Sequence, residues 1–198
     1  MASQVEICNI ALNHLGTKTI ASINENTEQA VRCNLVWNSI RDTVLRDHPW
    51  GFARTVETLS LLSDESIPGW DYLYAYPTNC IKIRKIYADP NDYNPLPTEY
   101  REFKSPDTNQ KSLATNITPA YCEYTYKVTD TTQYDSKFVE AFGYRLAAEL
   151  AKVLTANFDL SVKMLQIYSA TISDAKRLDQ EEEHIEDDKE SSFESARG

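Results

Sequence analysis

Every proline in the chain falls between Pro49 and Pro119; the 48 residues before that window and the 79 after it contain none. Proline removes a backbone donor and clashes with the preceding helical turn, so long helices are open to the two ends and closed to the middle. Ten of the twelve tyrosines also lie in the middle, between Tyr72 and Tyr134, a composition that favours strands. The chain therefore divides into a helical part over 1–53, a β-rich insert over 54–133, a helical return over 134–180 and an acidic flexible tail over 181–198.

Capping signals sharpen the helical parts. Ser3 with Glu6 makes a capping box before an apolar face of Val5, Cys8, Leu12 and Leu15, and Gly16 offers the left-handed stop, which predicts a first helix over 5–15. Asn26 or Thr27 can cap a longer helix reaching Asp47, with Ala30, Cys33, Trp37, Ile40 and Val44 in steps of three and four. Asp135 caps a third, facing inward with Phe138, Phe142, Leu146, Leu150 and Val153, while Ala147, Ala148 and Ala151 permit close approach of a neighbour. Asn157–Asp159 interrupt it. A fourth helix from Leu160 buries Leu165, Tyr168, Ile172, Ala175 and Leu178.

Within the insert, period-two segments predict strands: Val56, Leu59 and Leu61, then 72–76, 80–87, 99–104, 111–115 and 121–128. In the last of these Cys122, Tyr124, Tyr126 and Val128 should face the core and Glu123, Thr125 and Lys127 the solvent. Asp89–Asp92 and Asn94–Pro97 read as turns or loops. Helices with one apolar face each need partners to cover it. The expected fold is α+β: an antiparallel four-helix bundle built from both termini, with an inserted antiparallel β module.

Charge and motif content narrow the function. With 20 basic and 30 acidic residues the net charge is −10, of which −7 lies in 179–198, leaving a nearly balanced body. That argues against a general nucleic-acid binder, since phosphate binding needs basic surface. No apolar run exceeds the five residues 72–76, against the ~20 of a membrane-spanning helix, and no secretory leader is expected. Cys8, Cys33, Cys80 and Cys122 stand too far apart for a local metal site and read as small buried hydrophobes in a reducing compartment. His14 and His48 sit in last turns, where they suit helix carbonyls; His184 lies in the tail.

Five glycines make neither dinucleotide nor phosphate-loop patterns, and no hydrolase constellation is present. No catalytic residue, cofactor or metal ligand is assigned. Trp37, Trp50 and Phe52 read as a core hinge between bundle and insert. Of Tyr72, Tyr74, Tyr76, Tyr121, Tyr124 and Tyr126, half should fill the sheet core and the rest offer interface rings. Arg32, Arg41 and Arg46 are placed on the outer side of the second helix, available to neighbours. In the tail, Glu181, Glu182 and Glu183 provide charge and Phe193 an aromatic anchor for docking.

Three stretches together resemble a known family. They are Ala11-Leu12-Asn13-His14-Leu15-Gly16, then Ala30 to Cys33 through Trp37, Ile40 and Arg41 to His48-Pro49-Trp50-Gly51-Phe52-Ala53, and Gly69-Trp70-Asp71-Tyr72 to Pro77, with further support from the alanine-rich 142–154. Their order is similar to that of the tail tubular protein A family, head-to-tail adaptors or gatekeepers of short-tailed phages. The resemblance implies a noncatalytic virion protein, assembled in the host cytoplasm as a ring homo-oligomer, commonly a dodecamer. Such a ring sits below the portal protein, extends the DNA channel without binding DNA specifically, and docks the tubular B-like tail nozzle. A C-terminal segment docked on the portal is also implied. The rival expectations are a head completion protein of another tail type, a small enzyme using Glu149 or Asp135, and an acidic DNA mimic.

Overall fold

Each helix begins where a side chain serves its first unpaired amide groups. In the computed structural model, which describes residues 2–92 and 95–182, Ser3 Oγ accepts from the Glu6 amide and the Glu6 carboxylate accepts from the Ser3 amide at 2.6 Å, opening α1 (Gln4–His14). Gly16, at φ +64°, turns the chain out of it. Thr27 caps α2 (Glu28–Asp47) and Asp135 caps α3 (Ser136–Leu154). The fourth helix, α4 (Phe158–Glu182), starts two residues earlier than the hydropathy pattern suggested. Asn157 Oδ1 accepts from the Leu160 amide at 2.9 Å, so the polar residues read as an interruption form the cap itself.

The α3 helix is the hub of the helical half. It packs against α1, α2 and α4, which make far fewer contacts with one another among the described residues. Small residues allow this: Ala147, Ala148 and Ala151 are buried, and a Cβ on Gly143 would lie 2.8 Å from a methyl of Ile10. Trp37 meets Phe142 at 4.5 Å and Trp50 meets Phe138 at 5.2 Å, so α2 runs antiparallel to α3. The three-residue turn 155–157 makes α4 antiparallel to α3 as well. Residues from both ends of the chain thus share one apolar core, including Leu12, Leu45, Phe142 and Tyr168. Val153, expected in that core, is exposed: it lies near the end of α3, beyond the cover of its neighbours.

The insert forms two three-stranded antiparallel sheets. One has the order β1 (Arg54–Thr58), β6 (Tyr121–Tyr126), β3 (Cys80–Tyr87); the other β2 (Tyr72–Ala75), β5 (Lys111–Thr115), β4 (Tyr100–Lys104). A second apolar cluster lies here, built from Leu59, Tyr74, Ile83, Ile86, Leu113, Cys122 and Tyr124. All six expected strands exist, but their faces differ from the simple alternation. β1 is an edge, and Val56 and Leu61 remain exposed. Thr125, expected in solvent, is buried, while Tyr126, expected inside, is exposed. At its C-terminal end β6 meets the helical half, and Thr125 accepts there from the Arg84 guanidinium. Of the six tyrosines weighed for the core, Tyr74 and Tyr124 are fully inside; their hydroxyls donate to the Ile117 carbonyl and the Glu57 carboxylate.

Candidate interaction surfaces

The two halves are joined at the C-terminus of α2, where the last carbonyls lack helical partners. Arg84, half-buried on β3, supplies them. One guanidinium nitrogen donates to the carbonyls of Leu45 (3.1 Å), Arg46 (3.0 Å) and His48 (2.9 Å), while its Nε donates to Thr125 Oγ1 at 2.7 Å. Arg46 reaches back to donate to the Ile81 carbonyl at 2.8 Å. The Tyr168 hydroxyl donates to Asp47 at 2.6 Å, tying α4 to the same joint. Sequence reasoning assigned the end of α2 to His48. That imidazole is buried edge-on to Trp50, and its carbonyl is one of those that Arg84 holds. His14, at the end of α1, stacks on Tyr144 at 4.5 Å, and burial lowers its pKa.

The three arginines assigned to the outer side of α2 occupy three different environments. Arg32 is there, part-exposed and 3.8 Å from Glu28 one turn earlier. Arg46 is exposed but tied to β3. Arg41 is a correction: it is only 3% exposed, and its guanidinium donates to Asp42 at 2.7 and 2.8 Å and to Asn38 at 3.0 Å. It stands four residues after Trp37 and three before Val44, on the inward face, so its stem is buried while its charge is matched locally. Lys127 completes the group, 3.2 Å from Asp42. The backbone of Glu181 and Glu182 ends α4, while Glu183, His184 and Phe193 lie outside the described residues, as does Asn94 of the loop.

Two separate apolar patches remain uncovered. On α2, Val31 and Leu35 sit one turn apart, Leu35 72% exposed, beside an open depression of about 470 Å³ that Ile23, Glu25 and Asn34 also line. Around the α3–α4 turn, Val153, Phe158 and Val162 are the second exposed group, with Phe158 70% exposed. Singly scattered exposed apolar residues are ordinary on a surface; several gathered in one region are candidates for a contact face.

The two carboxylates weighed for an enzyme, Asp135 and Glu149, both have partners. Asp135 accepts from the Phe138 amide at 2.6 Å as the α3 cap, and Glu149 lies 3.4 Å from Lys152 and 3.8 Å from Arg145. Among the described residues no group of three His, Cys, Asp or Glu side chains could hold a metal ion, and no helix is long and apolar enough to cross a membrane. Cys8, Cys33 and Cys122 are buried and Cys80 is partly so; burial pushes the Cys122 thiol up. No protein-family model matches the chain, and no curated protein does.

Several phenols at the joint and between the sheets are shifted in one direction. Burial pushes Tyr134 up to about 12, and burial followed by a hydrogen bond to a carboxylate raises Tyr168 and Tyr124. Their folded pKa values stand above those of the unfolded chain, near 10. Stability they support is therefore fully present below that value and is lost as pH rises through it, when only the unfolded chain ionises. Circular dichroism should show cooperative alkaline unfolding above pH ~10, with the share of tyrosinate absorbance due to Tyr124, Tyr134 and Tyr168 rising in the same step rather than before it.

Proposed function

We propose that this chain is a structural connector: the head-to-tail adaptor of a short-tailed phage, assembling as a ring beneath the portal and carrying the tail nozzle. In this reading the helical half is an antiparallel four-helix bundle that forms the ring wall, and the β module faces the next tail component. The observation that carries the proposal is the pair of unlike apolar patches, Val31 with Leu35 on α2 and Val153, Phe158 and Val162 at the α3–α4 turn. A ring closes through heterologous contacts, in which one patch meets a different patch on the next copy. The resemblance of residues 11–16, 30–53, 69–77 and 142–154 to the tail tubular protein A family supports the same reading, as does the engagement of Asp135 and Glu149 in capping and ion pairing. A net negative chain also suits a channel through which DNA slides without sticking.

The test mixes the protein with portal and counts rings by negative-stain microscopy. Leu35→Asp and Phe158→Asp should each abolish rings while changing monomer stability by no more than about 0.5 kcal/mol, because both sites are exposed. Mixing the two variants should yield discrete dimers, since each retains the patch the other lacks. Rings that persist in both variants, or a protein that never associates with portal, would sink the reading.

A further inference from the structure

A cluster of cations crowds the joint, although the chain as a whole carries a net charge of −10. Arg46 and Arg84 are bound to each other's strand and helix, Arg84 through the Arg46 carbonyl and Arg46 through the carbonyl of Ile81, the residue before Lys82. Lys82 and, on α4, Lys176 are exposed beside them. Among the described residues no carboxylate comes within ion-pair distance of Arg46, Lys82 or Lys176, whereas eight other ion pairs do form. The nearby acid, Asp47, accepts the Tyr168 hydroxyl.

We propose that this basic face, Arg46, Lys82, Arg84 and Lys176, is the docking site of the chain's own acidic C-terminal segment, residues 183–190. Charge complementarity selects the occupant. That segment carries five acidic residues against Lys189, in a chain whose first 178 residues are almost balanced. Reach allows it. Lys176 stands six residues before the end of α4, about 9 Å along the axis, and the eight residues 183–190 could extend about 27 Å, so a return past the helix end needs only part of their length. Tethering favours the intramolecular contact over one with another copy, because a short linker holds the acids at millimolar effective concentration. The electrostatics of the face agree: the Lys82 ammonium is disfavoured first by desolvation and then by Arg84 and Arg46, which Asp47 only partly offsets, and an arriving carboxylate would relieve the remaining repulsion. A nucleic acid is the weaker candidate, since the net negative chain repels a long polyphosphate. The inference stands independently of the connector reading.

Zero-length carbodiimide coupling of the full chain, followed by peptide mapping, tests it on a mixture of isotopically light and heavy protein. Lys82 or Lys176 should couple to a carboxylate within 183–190, in light–light and heavy–heavy pairs only. The yield should fall about fivefold in the Arg46→Glu variant, which keeps both lysines, and in ~0.5 M salt, where screening shortens the reach of charge to a few ångströms. Light–heavy pairs would assign the face to a second copy and overturn the proposal; coupling at these lysines no greater than at Lys85 would overturn it too. A second readout guards against a misfolded variant: with Glu186, Asp187, Asp188 and Glu190 changed to their amides, acetylation of Lys82 and Lys176 should rise roughly threefold as the screen of acids is lost. An unchanged rate would reject docking.

Discussion

Replacing Phe138 with alanine should destabilise the fold by about 4 kcal/mol, the cost of removing a fully buried ring that its surroundings cannot collapse to replace. Phe138 has no exposed surface and stands at the centre of an aromatic cluster, with ring centroids of Tyr134 at 4.6 Å, Phe52 at 5.1 Å, Trp50 at 5.2 Å and Phe142 at 5.7 Å. Two of those neighbours are pinned by hydrogen bonds, the Trp50 indole N–H donating to the Val44 carbonyl at 2.8 Å and the Tyr134 hydroxyl to the Val128 carbonyl at 3.1 Å. They cannot move inward without breaking those bonds. Phe138→Leu, which keeps most of the volume, should cost less than about 1.5 kcal/mol. Urea denaturation of the two variants reads the difference; an alanine variant no weaker than the leucine one would show that the cluster relaxes.

Arg84→Met is the second large effect, with an expected loss of about 3 kcal/mol. The methionine keeps the apolar stem but strands the carbonyls of Leu45, Arg46 and His48 at the end of a 20-residue helix, together with the buried Thr125 hydroxyl. Partial burial sets the size of the loss: the exposed Arg46 carbonyl would find water, whereas the part-buried carbonyls of Leu45 and His48 and the buried Thr125 hydroxyl bear more of their desolvation uncompensated. Arg84→Lys should recover only part of the loss, since an ammonium placed at the three carbonyls, which one guanidinium nitrogen holds, would leave the Thr125 hydroxyl that Nε serves without its donor. Thermal midpoints should fall by roughly 8 °C for methionine, at the 2–4 °C per kcal/mol usual for a chain of this size. If lysine matched arginine, the fork geometry would be irrelevant and Arg84 merely a positive charge near a helix end.

Much of the architecture was readable before any coordinates. The proline window marked the insert, the caps Ser3, Thr27 and Asp135 marked three helix starts, and the period-two runs marked all six strands. What misled was the rule that charge lies outward and alternation sets burial. Arg41 lay on the inward spacing of α2 all along, and its four-residue step from Trp37 was the available signal. Thr125 gave no such signal, because its burial depends on the Arg84 side chain, 41 residues earlier, and on the approach of the helical half to the end of β6. Nor did Arg84: on β3 it reads like Lys82, an ordinary polar-face cation.

Local chemistry acts over a few residues, and sequence alone determined what such chemistry decides: where helices start, where proline bars them, which segments are extended, and where the acidic charge is concentrated. Tertiary structure alone decided that α3 is the hub, that one guanidinium closes the end of α2, which apolar residues stay uncovered at Val31, Leu35, Phe158 and Val162, and that four cations meet at one face. Those outcomes depend on which surfaces of distant segments come together. That is a property of packing in three dimensions, and the order of residues along one chain does not display it.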